Sequence, residues 1–180
     1  MDEDAETPSP RETSGSGTPV APSDPRTVRI AIVGVLLVTV YAAVALLQIL
    51  VLNPLAAAPG RSLDEILADL DAAGESLQPA TAIGVLAVGV VLAVIAGAAL
   101  SNAGAAPSVA ALVYGILLAL GAPAYFIASF GAGMSLADTY GISGADRAQG
   151  GAVLTTISGI ALVVVFAIGV VTAARIRRVR

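Results

Sequence analysis

The chain of 180 residues contains no cysteine and no histidine, and all nine of its basic residues are arginine, so lysine is absent as well. Each absence removes chemistry. Without cysteine there is no disulfide, no thiol nucleophile and no thiolate metal site. Without histidine the commonest metal ligand and the usual general base are missing. Without lysine no side chain forms a Schiff base. Charge is scarce too: 12% of residues are ionic, against about 25% in ordinary globular chains.

What fills the chain instead is hydrocarbon. Hydrophobic residues make up 57% of it, and its mean hydropathy is +0.89. That is more apolar surface than one small core can hide, and a bilayer is the solvent that accepts the rest. The weight of Ala, Val, Gly and Arg suits a GC-rich bacterial genome, so the expected location is a bacterial inner (plasma) membrane.

The few charges fence off the spans. Between Arg29 and Arg61 lie 31 uncharged residues, between Glu75 and Asp138 lie 62, and between Arg147 and Arg175 lie 27. A helix crosses the hydrocarbon with about 20 residues. The outer two runs therefore hold one crossing each. The middle run holds two if it is broken, and "SNAGAAPS" at 101–108 is the strongest turn signal in it. The expected fold is all-α: an integral membrane four-helix bundle with spans at about 30–52, 79–100, 107–130 and 152–174. The Pro-, Ser- and acid-rich leader, 1–28, reads as a disordered cytoplasmic tail. Residues 175–180, "RIRRVR", form a short basic cytoplasmic tail suited to anionic headgroups. A cleaved signal peptide is the competing reading of the first span, with Ala-x-Ala at 56–58. The apolar run is too long for it, since a signal core has about 7–15 residues.

Arginine placement sets the orientation. Arg26 and Arg29 precede the first span, and Arg175, Arg177, Arg178 and Arg180 follow the last. Positive charge marks the cytoplasmic side, so both termini are expected inside, which four crossings satisfy. The outside loops, 53–78 and 131–151, carry Arg61 and Arg147 among seven acids.

Small residues recur at intervals of four: Gly89, Ala93 and Gly97 in span two; Ala111, Gly115 and Ala119 in span three; Gly151, Thr155 and Gly159 in span four. Such rows let helix backbones approach in lipid, although Ala and Gly are frequent enough here to produce them by chance. Pro123 removes a backbone donor and crowds the carbonyl of Ala119, so span three is expected to kink. Transporters exploit such breaks, but single prolines are also tolerated in membrane helices without that role. Tyr125, Phe126 and Phe130 follow, as interfacial anchors.

No Asp, Glu or Arg falls inside an expected span. That argues against a proton-coupled transporter of the small four-helix multidrug type, which needs a buried carboxylate. The most polar candidates left in the spans are Gln48, Tyr41, Tyr114, Thr155, Thr156 and Ser158, and hydroxyls such as these often bond their own helix. A membrane enzyme would have to use the loop acids Asp64, Glu65, Asp69, Asp71, Glu75, Asp138 and Asp146. They lack EF-hand spacing, and no zinc motif, phosphate loop or nucleophile elbow is present. No metal, cofactor or nucleic acid is expected.

One stretch outside the spans is patterned. In "RSLDEILADLDAAG", 61–74, Leu63, Ile66, Leu67 and Leu70 recur at i, i+3, i+4 and i+7. Ser62 and Glu65 make a capping box, and Gly74 suits a C-terminal cap. A short amphipathic extracytoplasmic helix at about 62–74 follows, its leucine face turned to the bundle or to a partner. The function these features favour is a non-catalytic accessory, scaffold or assembly subunit. Its surroundings are the lipid bilayer and another membrane protein or a second copy. A small oligomeric channel or uncoupled transporter is the alternative, and a membrane enzyme comes third.

Overall fold

A computed structural model describes residues 24–179, without the side chains of 172, 173 and 175–179. The disordered tail expected over 1–28 lies outside the described residues up to position 23, and so do the side chains of the basic cluster.

Helix α1, Pro25–Leu47, begins earlier than hydropathy suggests. The Asp24 carboxylate accepts the Arg26 N–H at 2.8 Å, and Pro25 occupies the first turn, where its missing donor costs nothing. Residues 25–28 are therefore helix, not tail. At the far end Pro54 cannot donate to Leu50, and the helix absorbs the fault in one wide turn, Gln48–Leu52, closed by the Asn53 N–H on the Gln48 carbonyl. It then continues as α2, Asn53–Ala57, so the first span runs unbroken over Pro25–Ala57.

Helix α3, Leu63–Ala72, is the short helix expected from the leucine stripe. Its capping box is complete: Ser62 N–H donates to Glu65 at 2.7 Å and Glu65 N–H to Ser62 Oγ at 3.3 Å. At the other end Gly74 turns the chain at φ 75°, and Glu75 N–H reaches the Leu70 carbonyl at 2.8 Å, a Schellman close.

Helix α4, Pro79–Asn102, returns across the membrane. The break expected at 101–108 is there: Gly104 has φ 59°, Ala105 N–H bonds the Leu100 carbonyl at 3.0 Å, and Pro107 opens the next helix. Helices α5, Pro107–Ala119, and α6, Gly121–Tyr140, form one bent span. The helix is interrupted at Leu120, beside the position where Pro123 withholds a donor from Ala119. This span continues ten residues past the expected limit at 130. Ala128, Ala132, Ser135 and Leu136 stay buried along one face there, so packing carries the helix on after the apolar run has ended. The loop expected over 131–151 shrinks to 141–149, and α7, Gly150–Val179, makes the last crossing.

Four helical stretches are thus long and apolar enough to span a membrane, and this is a multi-pass membrane protein. Among the described residues there is no strand. Helix α1 packs on α4 and α5, α5 on α7, and α4 on α6. The buried face of α1 is Thr27, Ala31, Gly34, Val38, Tyr41, Ala45 and Gln48, while Ile32, Val33, Leu36, Leu37, Val40, Val44 and Leu47 are exposed. That is the reverse of a water-soluble helix. Lipid solvates branched hydrocarbon as well as a core does, so small and polar residues take the contact face.

Candidate functional site

Apart from Thr27, the buried polar side chains gather where α1, α6 and α7 meet, at the end of the molecule that carries α3. The wide turn builds this site. In a regular α-helix Gln48 and Asn53, five residues apart, would point about 140° away from each other. The extra residue in the turn brings both to the segment ahead of α7. Gln48 is wholly buried, and its Nε2 donates to the Ala148 carbonyl at 3.1 Å. Asn53 Oδ1 accepts from the Arg147 N–H at 2.7 Å and the Ala148 N–H at 3.4 Å. Two amide side chains thus hold both polarities of one stretch of backbone.

Tyr125 and Asp146 extend the site. The Tyr125 hydroxyl donates to the Asp146 carboxylate at 2.8 Å. That carboxylate lies over the first turn of α7, where unpaired N–H groups favour negative charge. Gly151 leaves the space: a Cβ there would strike Asp146 and the Tyr125 hydroxyl. Gly150 does the same for Gln48 Oε1, which accepts no hydrogen bond among the described residues and lies against the same turn. One helical turn deeper, the Tyr41 hydroxyl donates to the Leu154 carbonyl at 3.4 Å and accepts from Ser158 Oγ at 3.2 Å. Its ring fills the notch left by Gly121, beside the Leu120 bend.

Arg61, Asp69 and Tyr140 fasten α3 to this end. Arg61 pairs with Asp69 at 2.8 Å, and the Tyr140 hydroxyl donates to the same carboxylate at 2.8 Å. Beneath them Ile66 and Leu70 are buried in the core with Leu77, Ala132 and Leu136. The leucine stripe therefore divides. Ile66 and Leu70 cover this protein's own helices, Leu63 is half-buried, and Leu67 stays 43% exposed. Outside the spans, the Ser62 backbone and side-chain hydrogen bonds hold Glu65 below the usual carboxylate range.

The other expected residues scatter. Thr155 and Thr156 bond the carbonyls of Gly151 and Ala152 on their own helix, as read from the sequence. Tyr114 belongs to the opposite end: its hydroxyl donates to the Ala93 carbonyl at 3.0 Å, and its ring lies between Gly34 and Gly97. Gly115 meets Val165, while Gly89 and Gly159 face open space. Within this chain, Gly34, Gly97 and Gly121 leave room for tyrosines and Gly115 for Val165. The acids are not brought together, and among the described residues no three of them form a metal-sized group. Sequence reading missed Asn53, Thr27, Gly34, Gly121 and Tyr140. The signal for Thr27 and Gly34 was available, since with Ala31, Tyr41 and Ala45 they form a row of small or polar residues along one face of α1. No protein-family model, no curated protein and no solved structure matches this chain.

Proposed function

We propose that this protein is a non-catalytic subunit of a bacterial plasma-membrane assembly, oriented with both termini in the cytoplasm and α3 outside. The supporting observation is the division of the α3 stripe. Two of its apolar residues suffice to seat the helix, yet Leu67 remains exposed beside Leu50, Leu77 and Pro79, in a hollow of about 380 Å³ rimmed by Asp71 and Glu75. Five acids stand against Arg61 alone in 53–78, and Asp69 is the one that pairs with it. The partner this surface fits inserts an apolar side chain and flanks it with basic residues. The polar groups inside the spans support the same reading, since Tyr41, Tyr114, Tyr125 and Gln48 donate to groups of this chain.

A photo-crosslinker at position 67 in intact cells tests the proposal. Capture of one membrane partner through a basic segment, lost when Asp71 and Glu75 are neutralised, is expected. Labelling of lipid alone removes the proposal. A C-terminal reporter active only in the periplasm would overturn the orientation. The channel reading draws on a different observation: Pro123, Ser129, Asp146 and Thr155 line one hollow of about 430 Å³. Solute flux through liposomes, lost on Pro123→Ala or Thr155→Val, would favour it.

A further inference from the structure

A wide cavity lies far from α3. It is a groove of about 620 Å³ floored by α5 and walled by α1 and α7. Helix α5 packs against both walls. The walls meet each other through Tyr41, Leu154 and Ser158, at the loop-helix end of the groove. Toward the opposite end the groove is lined by Ile30, Val33, Leu37, Ala111, Ala161 and Val164. Both tyrosines on its surface, Tyr41 and Tyr114, have their hydroxyls engaged with backbone carbonyls. The groove thus offers hydrocarbon along its length and, among the described residues, a single charge, Arg29, at its mouth.

We infer that this groove holds one anionic glycerophospholipid of the cytoplasmic leaflet, an acyl chain lying between α1 and α7 and the phosphate on Arg29. Its dimensions fit. From Arg29 to Val44 is about 22 Å of helix, against about 15 Å for half the hydrocarbon core, so the groove accommodates a chain running from the headgroup level toward the midplane. Charge selects the lipid class. Arg29 is exposed and the one ion pair among the described residues is Arg61 with Asp69. The carboxylate nearest to Arg29 in the chain, Asp24, is spent capping α1. A guanidinium free of carboxylate, at the level of phosphate, takes phosphate in a bidentate pair. This inference uses the proposed orientation but not the α3 surface, so loss of a partner at Leu67 leaves it standing.

The test is native mass spectrometry of the full chain released from nanodiscs of phosphatidylglycerol and phosphatidylcholine with identical acyl chains. Wild type is expected to retain one lipid, with phosphatidylglycerol preferred about fivefold, the effect of one basic residue at the membrane surface. Arg29→Gln should keep the lipid and lose the preference, whereas Arg26→Gln, which is off the groove, should change neither. Ala161→Phe and, independently, Ala111→Phe fill the groove and should abolish retention. Equal behaviour of the two arginine variants overturns the assignment of the phosphate to Arg29. Undiminished retention in either phenylalanine variant overturns the site. A lipid-free dimer means that a second copy covers the groove, which also overturns it.

Discussion

The two ends of this protein are held together by different physics. At the loop-helix end, Gln48, Asn53, Tyr125 and Asp146 tie α1, α6 and the start of α7 through side-chain hydrogen bonds, and Asp69 adds a two-partner hold on α3. At the opposite end, Thr27 bonds the Ala105 carbonyl at 2.7 Å and Tyr114 that of Ala93, and the described residues there pack around one aromatic ring. Polar pinning permits short loops and a fixed α7 start. Packing alone lets α1 and α7 part, which opens the groove. The difference places the hydrogen-bonded contacts at one end of the bundle and the open groove toward the other.

The sharpest break of that contrast is at Gly34. A Cβ there meets the Tyr114 ring itself, and Gly97 closes off the far side. Gly34→Ala should therefore move the ring, pull its hydroxyl from Ala93, and cost about 3 kcal/mol, the upper range of overpacking. Gly89→Ala is the matched control. Its Cβ meets nothing, so removing a mid-helix glycine should gain about 0.5–1 kcal/mol. Unfolding both in mixed micelles measures the difference; similar shifts would show that the ring does not hold this end.

At the polar end, Asn53→Ala should cost about 1–2 kcal/mol, because it strands the Arg147 and Ala148 N–H groups. The damage should stay local, seen as faster amide exchange over 141–149 with α4 and α5 unchanged. Exchange that rises equally throughout would deny the division between the ends. Tyr140→Phe should cost less, about 1 kcal/mol, since Asp69 keeps Arg61. Its expected mark is protease access to α3 without loss of the spans.

Much of this architecture can be read from the sequence. The run lengths between charges count the crossings, Gly104 with Pro107 marks the inner turn, and Ser62, Glu65 and Gly74 frame α3. Pro123 announces the Leu120 bend. Helix ends are less legible, because hydropathy stops with the hydrocarbon while packing does not: Leu136 is buried well past the apolar run. The site is the least legible part. A row such as Gly89, Ala93 and Gly97 records spacing on one helix, and nothing in it says whether Tyr114 stands opposite. The wide turn over Gln48–Leu52 hid Asn53 for a similar reason, since regular periodicity aims it away from Gln48.

The smallest expected effect sharpens the comparison through pH. The Ser62 backbone N–H and hydroxyl both donate to Glu65, which lowers the pKa of its carboxyl in the folded protein. A lowered folded value means that the stabilisation is fully present above the unfolded glutamate range, near pH 4.3, and is lost as pH falls through the folded value. Only α3 carries this box, so its amide protection, corrected for intrinsic exchange, should fall on acidification while that of the spans holds. Glu65→Gln keeps a partial cap without the charge and should flatten the profile. An unchanged profile in that variant would show that the box at Ser62 is not the source of the acid sensitivity.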